Sequence, residues 1–481
     1  MSGTTARPVD DAPAYTAERR HPVELILASL ADARPTPYWT DALAAVEAAP
    51  ALQGDIETDL LVVGGGYCGL WTALLAKERD PDREVVLIEG RRIGWAASSR
   101  NGGFCEATLT HGVANGRRRF AAELDDIRRE EQENFAGLRA TLERYDMQVE
   151  FENAGVLAVA TEPHQVEALR SAAGPHARFL DGSELTGLIR SPLHRAGLFK
   201  TDGYALVNPA RLVGELRRVC LQLGVRIHES TPALRIRKAP SGVAVRTRGG
   251  TITAQRVALA TNGFPSPLRR LRLWTIPVYD YALMTEPLTP AQLEAIGWVG
   301  RHGLTDSGRQ FHYARKTADD RILWGGFDAV YHRGGRILDR HDQREETFER
   351  LADHFFSTFP ALEDVRFTHK WGGMIDMSTR LVATQGTALG GAVAYSIGYT
   401  GLGVAATRFG AAAMLDMLDG LQTRRTSLRL TVGLPFPVPP EPLANPLIQL
   451  VRRAVAKADE NGGRSGLLLR TLEKLGIDFD S

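Results

Sequence analysis

A glycine-rich turn between a strand and a helix is the feature that most constrains the fold of this chain. Residues 60–63 are all apolar and predict a buried strand, which leads at once into a G-x-G-x-x-G motif and a helical pattern. A second apolar run, at residues 85–88, ends at Glu89. This order of elements forms the βαβ unit that binds dinucleotides. The glycines of the motif are Gly64, Gly66 and Gly69.

The chemistry of these residues indicates the kind of ligand. The glycines allow a tight turn and let the backbone approach a pyrophosphate closely, while the helix offers unpaired N–H groups and the positive end of its dipole. Glu89 can accept hydrogen bonds from both hydroxyls of a ribose, and its charge argues against an NADP-type ligand. The alternative is a strand–turn–helix in which the glycines serve packing alone.

Composition and charge narrow the classes of function. With 481 residues and 43% hydrophobic content, the chain can bury a large core and form more than one domain. Its 58 basic and 57 acidic residues give no reason to expect nucleic acid as a partner. Cys68, Cys105 and Cys220 lack the spacing of a metal or redox site, so we predict no metal and a reducing, cytoplasmic location.

An uncharged stretch at residues 381–407 raises the question of a membrane span. Glycines and hydroxyl side chains interrupt it, which favours a buried strand, a turn and the start of a helix. Residues 1–20 show no apolar core of the kind found in secretory signals. We therefore expect no membrane span, and the sequence leaves open whether the chain forms an oligomer.

Two later turns have the same form as the first. The strand predicted at residues 256–260 ends in an A-T-N-G turn. The strand at residues 393–397 leads through G-Y-T-G-L-G-V into a helix with no acidic residue in its first turn, so the helix N-terminus can hold negative charge. Either turn alone is equally consistent with an ordinary strand end.

With the polar loop S-S-R-N-G-G at residues 98–103 and the segment W-G-G-M-I-D-M-S at residues 371–378, these motifs resemble one family. The chain is similar to the FAD-dependent oxidoreductases of the D-amino-acid oxidase family, and within it to the gamma-glutamylputrescine oxidoreductases. The resemblance covers roughly residues 38–425. The glycine motif occurs in many flavoproteins, whereas the combination of the early polar loop with the late glycine turn is much more specific.

The resemblance implies an α/β fold. A doubly wound, glutathione-reductase-like FAD-binding domain is joined to a second α+β substrate domain built on an antiparallel sheet. The expected boundaries are residues 1–55 for an N-terminal arm, 56–148, 207–270 and 371–425 for the FAD-binding domain, 149–206 and 271–370 for the substrate domain, and 426–481 for a helical C-terminal extension.

The resemblance also assigns residues to the cofactor, which we expect to be non-covalently bound FAD. Relatives that attach flavin covalently use a histidine of the early loop or a late cysteine, and this chain has neither at those places. Arg100 is expected to contact the flavin or the pyrophosphate, with a substrate-side charge as the alternative. The full cofactor-binding set is Gly64, Gly66, Tyr67, Cys68, Gly69, Glu89, Gly90, Arg91, Ser98, Ser99, Arg100, Asn101, Gly102, Gly103, Phe104, Ala233, Thr261, Asn262, Gly263, Gly398, Thr400, Gly401, Leu402, Gly403 and Val404.

Candidate catalytic and substrate-binding residues lie on the predicted strands of the second domain and shortly after it. Alternation in F-H-Y-A-R-K, residues 311–316, places Tyr313 and Arg315 on one face. An arginine could bind a carboxylate through two parallel hydrogen bonds. For each side chain the alternative is sheet packing or a surface ion pair. The candidates are Tyr279, His312, Tyr313, Arg315, Trp371 and Arg380.

The function implied by the resemblance is oxidation of the C–N bond of an amine or amino acid to an imine, which water hydrolyses. Dioxygen would reoxidise the flavin and give hydrogen peroxide. Sarcosine-type relatives carry a lysine where this chain has Val404, and many relatives carry a histidine in place of Leu402. Two alternatives therefore stay open: a dehydrogenase that passes electrons to another acceptor, and a flavin-binding protein without turnover.

Overall fold

The βαβ unit predicted from the glycine motif is present in the computed structural model, which describes residues 13–16, 18–44 and 46–474. Its first strand spans Ile56–Val63, its helix Tyr67–Arg79 and its second strand Val85–Ile88. The parts of the predicted arm and extension at residues 1–12 and 475–481 lie outside the described residues.

The strands of the described chain are numbered in order. They are β1 (Ile56–Val63), β2 (Val85–Ile88), β3 (Phe104–Glu106), β4 (Val156–Ala160), β5 (Ala177–Asp181), β6 (Ala196–Lys200), β7 (Tyr204–Leu206), β8 (Arg226–His228), β9 (Arg235–Ala239), β10 (Gly242–Arg246), β11 (Thr251–Leu259), β12 (Thr275–Thr285), β13 (Gly303–Asp306), β14 (His312–Lys316), β15 (Ile322–Gly326), β16 (Phe367–Ser378), β17 (Thr384–Ala388) and β18 (Val393–Ile397).

The α-helices are numbered in the same way. They are α1 (Val23–Leu30), α2 (Tyr38–Asp41), α3 (Tyr67–Arg79), α4 (Gly112–Phe120), α5 (Leu124–Arg144), α6 (Pro163–Ser171), α7 (Gly182–Thr186), α8 (Pro209–Gln222), α9 (Pro290–Ile296), α10 (Glu345–Thr358), α11 (Gly403–Leu418), α12 (Arg424–Ser427), α13 (Arg429–Val432), α14 (Ala444–Glu460) and α15 (Leu467–Lys474).

The first sheet is a parallel sheet with helices against one face. Its order is β17–β18–β11–β1–β2–β8, with β17 antiparallel at the edge and a β9–β10 hairpin added beside β11. Strand β1 is buried on both sides, since Leu60 and Val62 join the core under α3, α8 and α11, whereas Leu61 and Val63 join the core of the opposite face. Burial on both faces explains why β1 reads as a continuous apolar run.

Helix α8 begins where its sequence predicts. The side chain of Asn208 accepts a hydrogen bond from the backbone N–H of Arg211 at 3.2 Å, and Pro209 occupies the first helical position. Asparagine satisfies an otherwise unpaired amide at a helix start, and proline loses nothing there because its missing N–H would have no partner.

The second sheet has the order β16–β12–β15–β14–β13–β4–β6–β5 and is antiparallel except for the β13–β4 pair. One face packs on α10, where Tyr279 and Tyr281 of β12 join its phenylalanines. The other face turns towards the first domain, where Ala282 of β12 and Trp371 of β16 pack with Trp39 of the N-terminal segment.

The boundary that we predicted at residue 371 is wrong in one respect. Strand β16 pairs with β12 over its whole length, from Phe367 to Ser378, so the W-G-G-M-I-D-M-S segment belongs to the second sheet. The chain returns to the first sheet only with β17. The boundary at residue 371 was taken from the resemblance, whereas the pairing with β12 continues to Ser378.

The uncharged stretch at residues 381–407 forms β17, β18, the late glycine turn and the start of α11. In the described parts of the chain, none of the helices combines the length and apolar character that crossing a bilayer requires.

Both ends of the described chain lie on this two-sheet body. Residue Arg34 pairs with β16 through the hydrogen bonds Arg34 N to Thr368 O and Lys370 N to Arg34 O, both 2.9 Å. At the other end, the guanidinium of Arg380 donates to the carbonyl oxygens of Arg429 and Gly433. Arg380 therefore holds the segment that leads into the C-terminal extension.

We predict that Arg380→Met loosens the C-terminal extension. Hydrogen bonds to a charged group contribute about 1.5–3 kcal/mol, so limited proteolysis between α13 and α14 should become roughly tenfold faster or more. The control is Lys370→Met, which removes a lysine that pairs with Glu345 and makes no contact with the extension. Equal cleavage rates in the two variants would contradict the role of Arg380.

Candidate functional site

A cavity of about 1950 Å³ lies between the carboxyl ends of the first sheet and the inner part of the second. The turns that follow β1, β2, β11 and β18 line one side, and β12 and β16 line the other. Ligands of open parallel sheets bind at this edge. Small-molecule sites usually occupy about 300–1,000 Å³, so this cavity has room for a large cofactor and a substrate together.

The glycine turn after β1 is shaped by two close contacts. A Cβ on Gly64 would lie 2.3 Å from the carbonyl oxygen of Ala260 at the end of β11, and the φ of Gly64 is +114°. A Cβ on Gly69 would lie 1.8 Å from the carbonyl oxygen of Gly64. Both positions therefore require glycine, and the start of α3 is brought against the sheet with its amides facing the cavity.

Glu89 ends β2 beside this turn. Its carboxylate accepts hydrogen bonds from the backbone N–H groups of Gly65 at 2.7 Å and Arg91 at 2.9 Å, and from the indole of Trp95 at 3.3 Å. Burial raises the pKa of Glu89 above its usual range. The carboxylate lines the cavity next to the first glycine turn, which is the position that ribose recognition requires.

The polar loop at residues 98–103 is fixed by the second domain and by the N-terminal segment. The indole of Trp371 donates to the carbonyl oxygen of Arg100, and that of Trp39 donates to the carbonyl oxygen of Asn101, both at 2.9 Å. The side-chain oxygen of Asn101 accepts from the N–H of Gly103 at 2.8 Å. Two buried tryptophans thus set the course of the loop along the cavity wall.

Arg100 lines the cavity, but its charge already has a partner. The guanidinium is paired with Asp342 and donates to the carbonyl oxygens of Gly372 and Trp95, both at 2.9 Å. In the structure this charge ties the polar loop to the second domain. The contact with the flavin or the pyrophosphate stays a prediction.

A buried carboxylate connects the two later turns. Asp376 of β16 accepts hydrogen bonds from the backbone N–H groups of Gly398 at 2.5 Å and Tyr399 at 3.1 Å. The side-chain amide of Asn262, oriented to donate, lies 2.7 Å from the same carboxylate. Burial raises the pKa of Asp376 to about 7, while the two backbone N–H groups lower it. The carboxylate thereby places the turn that opens α11 beside the A-T-N-G turn.

Most of the predicted cofactor-binding residues line the cavity, and four do not. Gly69, Ser99, Gly103 and Gly398 lie behind its wall among the described residues. Gly69 and Gly103 are needed for backbone packing, since a Cβ on Gly103 would lie 2.2 Å from the carbonyl oxygen of Val207. Ser99 is buried, and the N–H of Gly398 is bound by Asp376. These four positions shape the wall instead of forming its surface.

Three of the predicted catalytic or substrate residues line the cavity, namely Tyr279, Tyr313 and Trp371. The other three are corrected. His312 points to the opposite face of the second sheet, where it contacts Asp306 at 2.7 Å and His354 at 3.0 Å. Arg315 is fully buried behind the polar loop and donates to the carbonyl oxygen of Val207 at 2.6 Å. Arg380 binds the C-terminal extension.

Three kinds of cavity residue were missed by the sequence reasoning. Asp280 and Asp376 are acidic residues with mainly apolar or aromatic neighbours on their strands, and that local contrast was the available signal. His111 lines the cavity near the late turn, and burial lowers its pKa to about 4, so its imidazole is neutral at pH 7. Residues of the C-terminal extension, from Phe436 to Val455, cover part of the cavity.

The cysteine near the first turn is unreactive. Cys68 touches the cavity but is almost completely buried, and its sulfur accepts a hydrogen bond from the hydroxyl of Tyr399 at 3.2 Å. Burial raises the pKa of the Cys68 thiol to about 12. A thiol protonated at neutral pH is neither a nucleophile nor a metal ligand.

We predict that Gly64→Ala destabilises the protein more than Gly54→Ala. Both glycines have positive φ, +114° and +80°, but only Gly64 faces an oxygen that a Cβ would strike, since nothing lies within 4 Å of the Cβ position of Gly54. Urea unfolding of the cofactor-free variants should show a free energy of unfolding about 2 kcal/mol lower for Gly64→Ala. Equal stabilities would show that the turn can move away from β11 without cost.

Comparison with known proteins agrees with this geometry. Residues 59–417 match the DAO family, described as FAD dependent oxidoreductase. A "Probable oxidoreductase OrdL" of Rhizobium meliloti (strain 1021) is 28% identical over 401 residues, which cover 78% of this chain and 88% of that protein. The "Gamma-glutamylputrescine oxidoreductase" of Escherichia coli (strain K12) is 27% identical over 403 residues, covering 80% and 89%.

Solved structures share the fold. Glycine oxidase from Geobacillus kaustophilus superposes with a TM-score of 0.63 at 17% identity, covering 76% of this chain and 96% of that one. NikD, described as an unusual amino acid oxidase essential for nikkomycin biosynthesis, gives 0.63 at 16% identity, covering 79% and 98%. The family match spans most of the chain. The turns that line the cavity lie at the carboxyl ends of the strands, where a dinucleotide-binding motif requires them. The chain therefore belongs to the DAO family of FAD-dependent oxidoreductases.

Proposed function

We propose that this protein oxidises the C–N bond of an amine or amino acid to an imine, which water then hydrolyses, and that dioxygen accepts the electrons and gives hydrogen peroxide. The observation that carries the proposal is one continuous cavity with dinucleotide-binding turns on one side and a partly polar sheet face on the other. The Escherichia coli relative is named for an amine that it oxidises, which supports an amine as substrate.

The residues present fit FAD. Glu89 would bind the adenosine ribose, and the start of α3 would hold the pyrophosphate. The polar loop at residues 98–103 would follow the cofactor towards the second sheet. When bound, FAD supplies the acceptor for a hydride taken from the carbon next to nitrogen. We infer that the cofactor is held without a covalent bond.

Helix α11 contributes electrostatics to the far end of the site. Its N-terminus, at Leu402 and Gly403, lines the cavity and has no acidic residue in its first turn. The positive end of the helix dipole stabilises negative charge that develops nearby. Because the dipole is already oriented, this stabilisation requires no rearrangement at the moment of reaction.

The second sheet would hold the substrate. Trp371 lies on the face of this sheet that turns towards the first domain, lines the cavity and is almost fully buried, with 1% exposure. Tyr279 also borders the cavity, but its ring packs with α10 on the opposite face. Such a wall excludes water and positions the carbon that is oxidised. Loss of a hydride requires an amine with a free lone pair, so a substrate bound as the neutral amine would react without a dedicated base.

Glu89→Ala should weaken FAD binding without unfolding the chain. The side chain makes its hydrogen bonds at the cavity surface, so its loss removes the acceptors for the ribose hydroxyls. A loss of about 1.5–3 kcal/mol corresponds to roughly tenfold to hundredfold weaker binding of FAD to the cofactor-free protein, measured by fluorescence titration. Glu84→Ala, at an exposed position just before β2, is the control. Unchanged affinity would contradict the ribose assignment.

The proposed reaction predicts that an amine bleaches the flavin of the purified protein under anaerobic conditions. Admission of air should restore the oxidised spectrum and yield about one hydrogen peroxide per amine oxidised, as required when a two-electron cofactor is reoxidised by dioxygen. Acid precipitation should release the yellow colour into the supernatant, since the cofactor is held without a covalent bond.

Each part of that experiment can fail separately. Absence of flavin absorbance after addition of FAD would overturn the whole proposal. Bleaching by amines without peroxide in air would overturn the oxidase assignment and indicate a dehydrogenase. Failure of amines, amino acids and aminophosphonates to bleach the flavin would indicate a flavin-binding protein without turnover.

A further inference from the structure

The acidic residues that line the cavity differ in what already binds them. Asp376, Asp306 and Asp328 receive several protein hydrogen bonds or ion pairs, as do Glu89, Glu131 and Glu441. Burial raises the pKa of Glu106, and the neighbouring positive charge of Lys200 opposes that shift. The carboxylate of Asp280 accepts a hydrogen bond from the Tyr313 hydroxyl, and the backbone N–H groups of Tyr281 and Gly326 also stabilise its charged form, so these donors in the described chain are all neutral.

Asp280 lies on β12 directly opposite Gly373 of β16. Its carboxylate accepts a hydrogen bond from the hydroxyl of Tyr313 at 2.7 Å. The Tyr313 ring is held tightly, since a Cβ on Gly102 would lie 2.9 Å from it and one on Gly325 would lie 2.6 Å away. Two glycines, one in the polar loop and one in β15, thus leave room for a ring that holds Asp280 at the cavity surface.

The surroundings of Asp280 favour a positive ligand. It keeps part of its surface open and lines the cavity. In the ion pairs found over the described residues, no lysine, arginine or histidine pairs with it, and the charge that acts on it is a second carboxylate, Asp328. Burial raises the pKa of Asp280 to about 6, while the Tyr313 hydroxyl and the backbone N–H groups of Tyr281 and Gly326 lower it. The group is therefore mostly ionised at pH 7 and lacks a cation.

We propose that Asp280 binds a second ammonium group of the substrate, distinct from the nitrogen at which oxidation occurs, so that the preferred substrates are diamines or amines with another cationic group. Tyr313 is a positioning residue that holds the carboxylate. The inference rests on the proposed function, since it assigns a substrate class to the same cavity.

The assignment to a second nitrogen follows from the chemistry of the reaction. A carboxylate bound to the reacting nitrogen would favour its protonated form, and an ammonium has no lone pair to assist loss of a hydride from the adjacent carbon. A buried carboxylate at that place would therefore oppose the reaction. Bound to a remote ammonium, the same carboxylate contributes affinity and leaves the reacting amine free to be neutral.

The test compares linear α,ω-diamines with n-alkylamines of equal chain length. For each compound, the rate of anaerobic flavin reduction is measured as a function of concentration in the wild-type protein and in Asp280→Asn. The wild type should show a lower half-saturating concentration for the diamine. Asp280→Asn should raise that concentration roughly tenfold to hundredfold for the diamine, leave the monoamine value unchanged, and leave the limiting rate for both compounds nearly unchanged.

The matched control is Asp319→Asn. Asp319 also accepts a hydrogen bond from a tyrosine hydroxyl, that of Tyr38 at 3.2 Å, but it is exposed and lies outside the cavity lining. It should leave the diamine preference intact. Flavin absorbance per protein confirms that each variant retains the cofactor, and Asp280→Ser provides a second variant without the charge.

The outcomes separate this inference from the proposed function. If no amine reduces the flavin of the wild type, the proposed function itself is wrong. If amines reduce the flavin but Asp280→Asn weakens diamine and monoamine equally, Asp280 acts on the reacting nitrogen and the inference is wrong. It is also wrong if both Asp280 variants retain the wild-type preference for the diamine.

Discussion

The relative position of the two sheets depends on the hydrogen bonds of Asp376. This carboxylate belongs to the second sheet, yet it accepts from amides of the late glycine turn and lies within bonding distance of the Asn262 amide, both in the first domain. Burying a carboxylate is costly unless its oxygens are satisfied. Because the donors come from the first domain, the carboxylate is satisfied only when the sheets are docked, and the same docking closes the cavity.

The glycine turns shape the wall of the cavity that the first domain contributes. Gly64 lets the first turn approach the end of β11, and the positive φ of Gly398 and Gly401 lets the chain leave β18 and enter α11. Helices α3 and α11 consequently present their N-termini to one cavity. The two positive helix ends and Glu89 therefore lie along one cavity, at separate places that one extended ligand could contact together.

Local patterns were sufficient to predict the first half of the site. The strand, turn and helix at residues 60–79 are neighbours in sequence, so their geometry follows from spacing and glycine content alone. Asp376 shows the opposite case. Its segment was recognised as a motif, but its partners Asn262 and Gly398 are distant in sequence, and no local pattern says that they meet. The function of the carboxylate became visible only when the sheets were seen together.

The alternation of side chains within a strand predicted which residues share a face. It did not predict which part of the chain covers that face. It placed Tyr313 and Arg315 on one side of β14, as the structure has them, but Arg315 is covered by the polar loop whereas Tyr313 reaches the cavity. The position of Asp280 was missed for the same reason, since a polar residue in a strand is usually solvated. The sequence predicted a helical C-terminal extension without indicating that part of it covers the cavity.

The long separation of the cavity walls along the chain has a consequence for biosynthesis. The turn at Gly64 emerges early, whereas α11, which completes the far end, is made several hundred residues later. At about 5–20 residues per second, the first turn waits on the order of tens of seconds beside a ribosome before its counterpart exists. In that interval α3 and α8 can already cover one face of β1, and α11 is the last of these helices to join the same core. A cavity bordered by the N-termini of both α3 and α11 exists only after synthesis has passed α11.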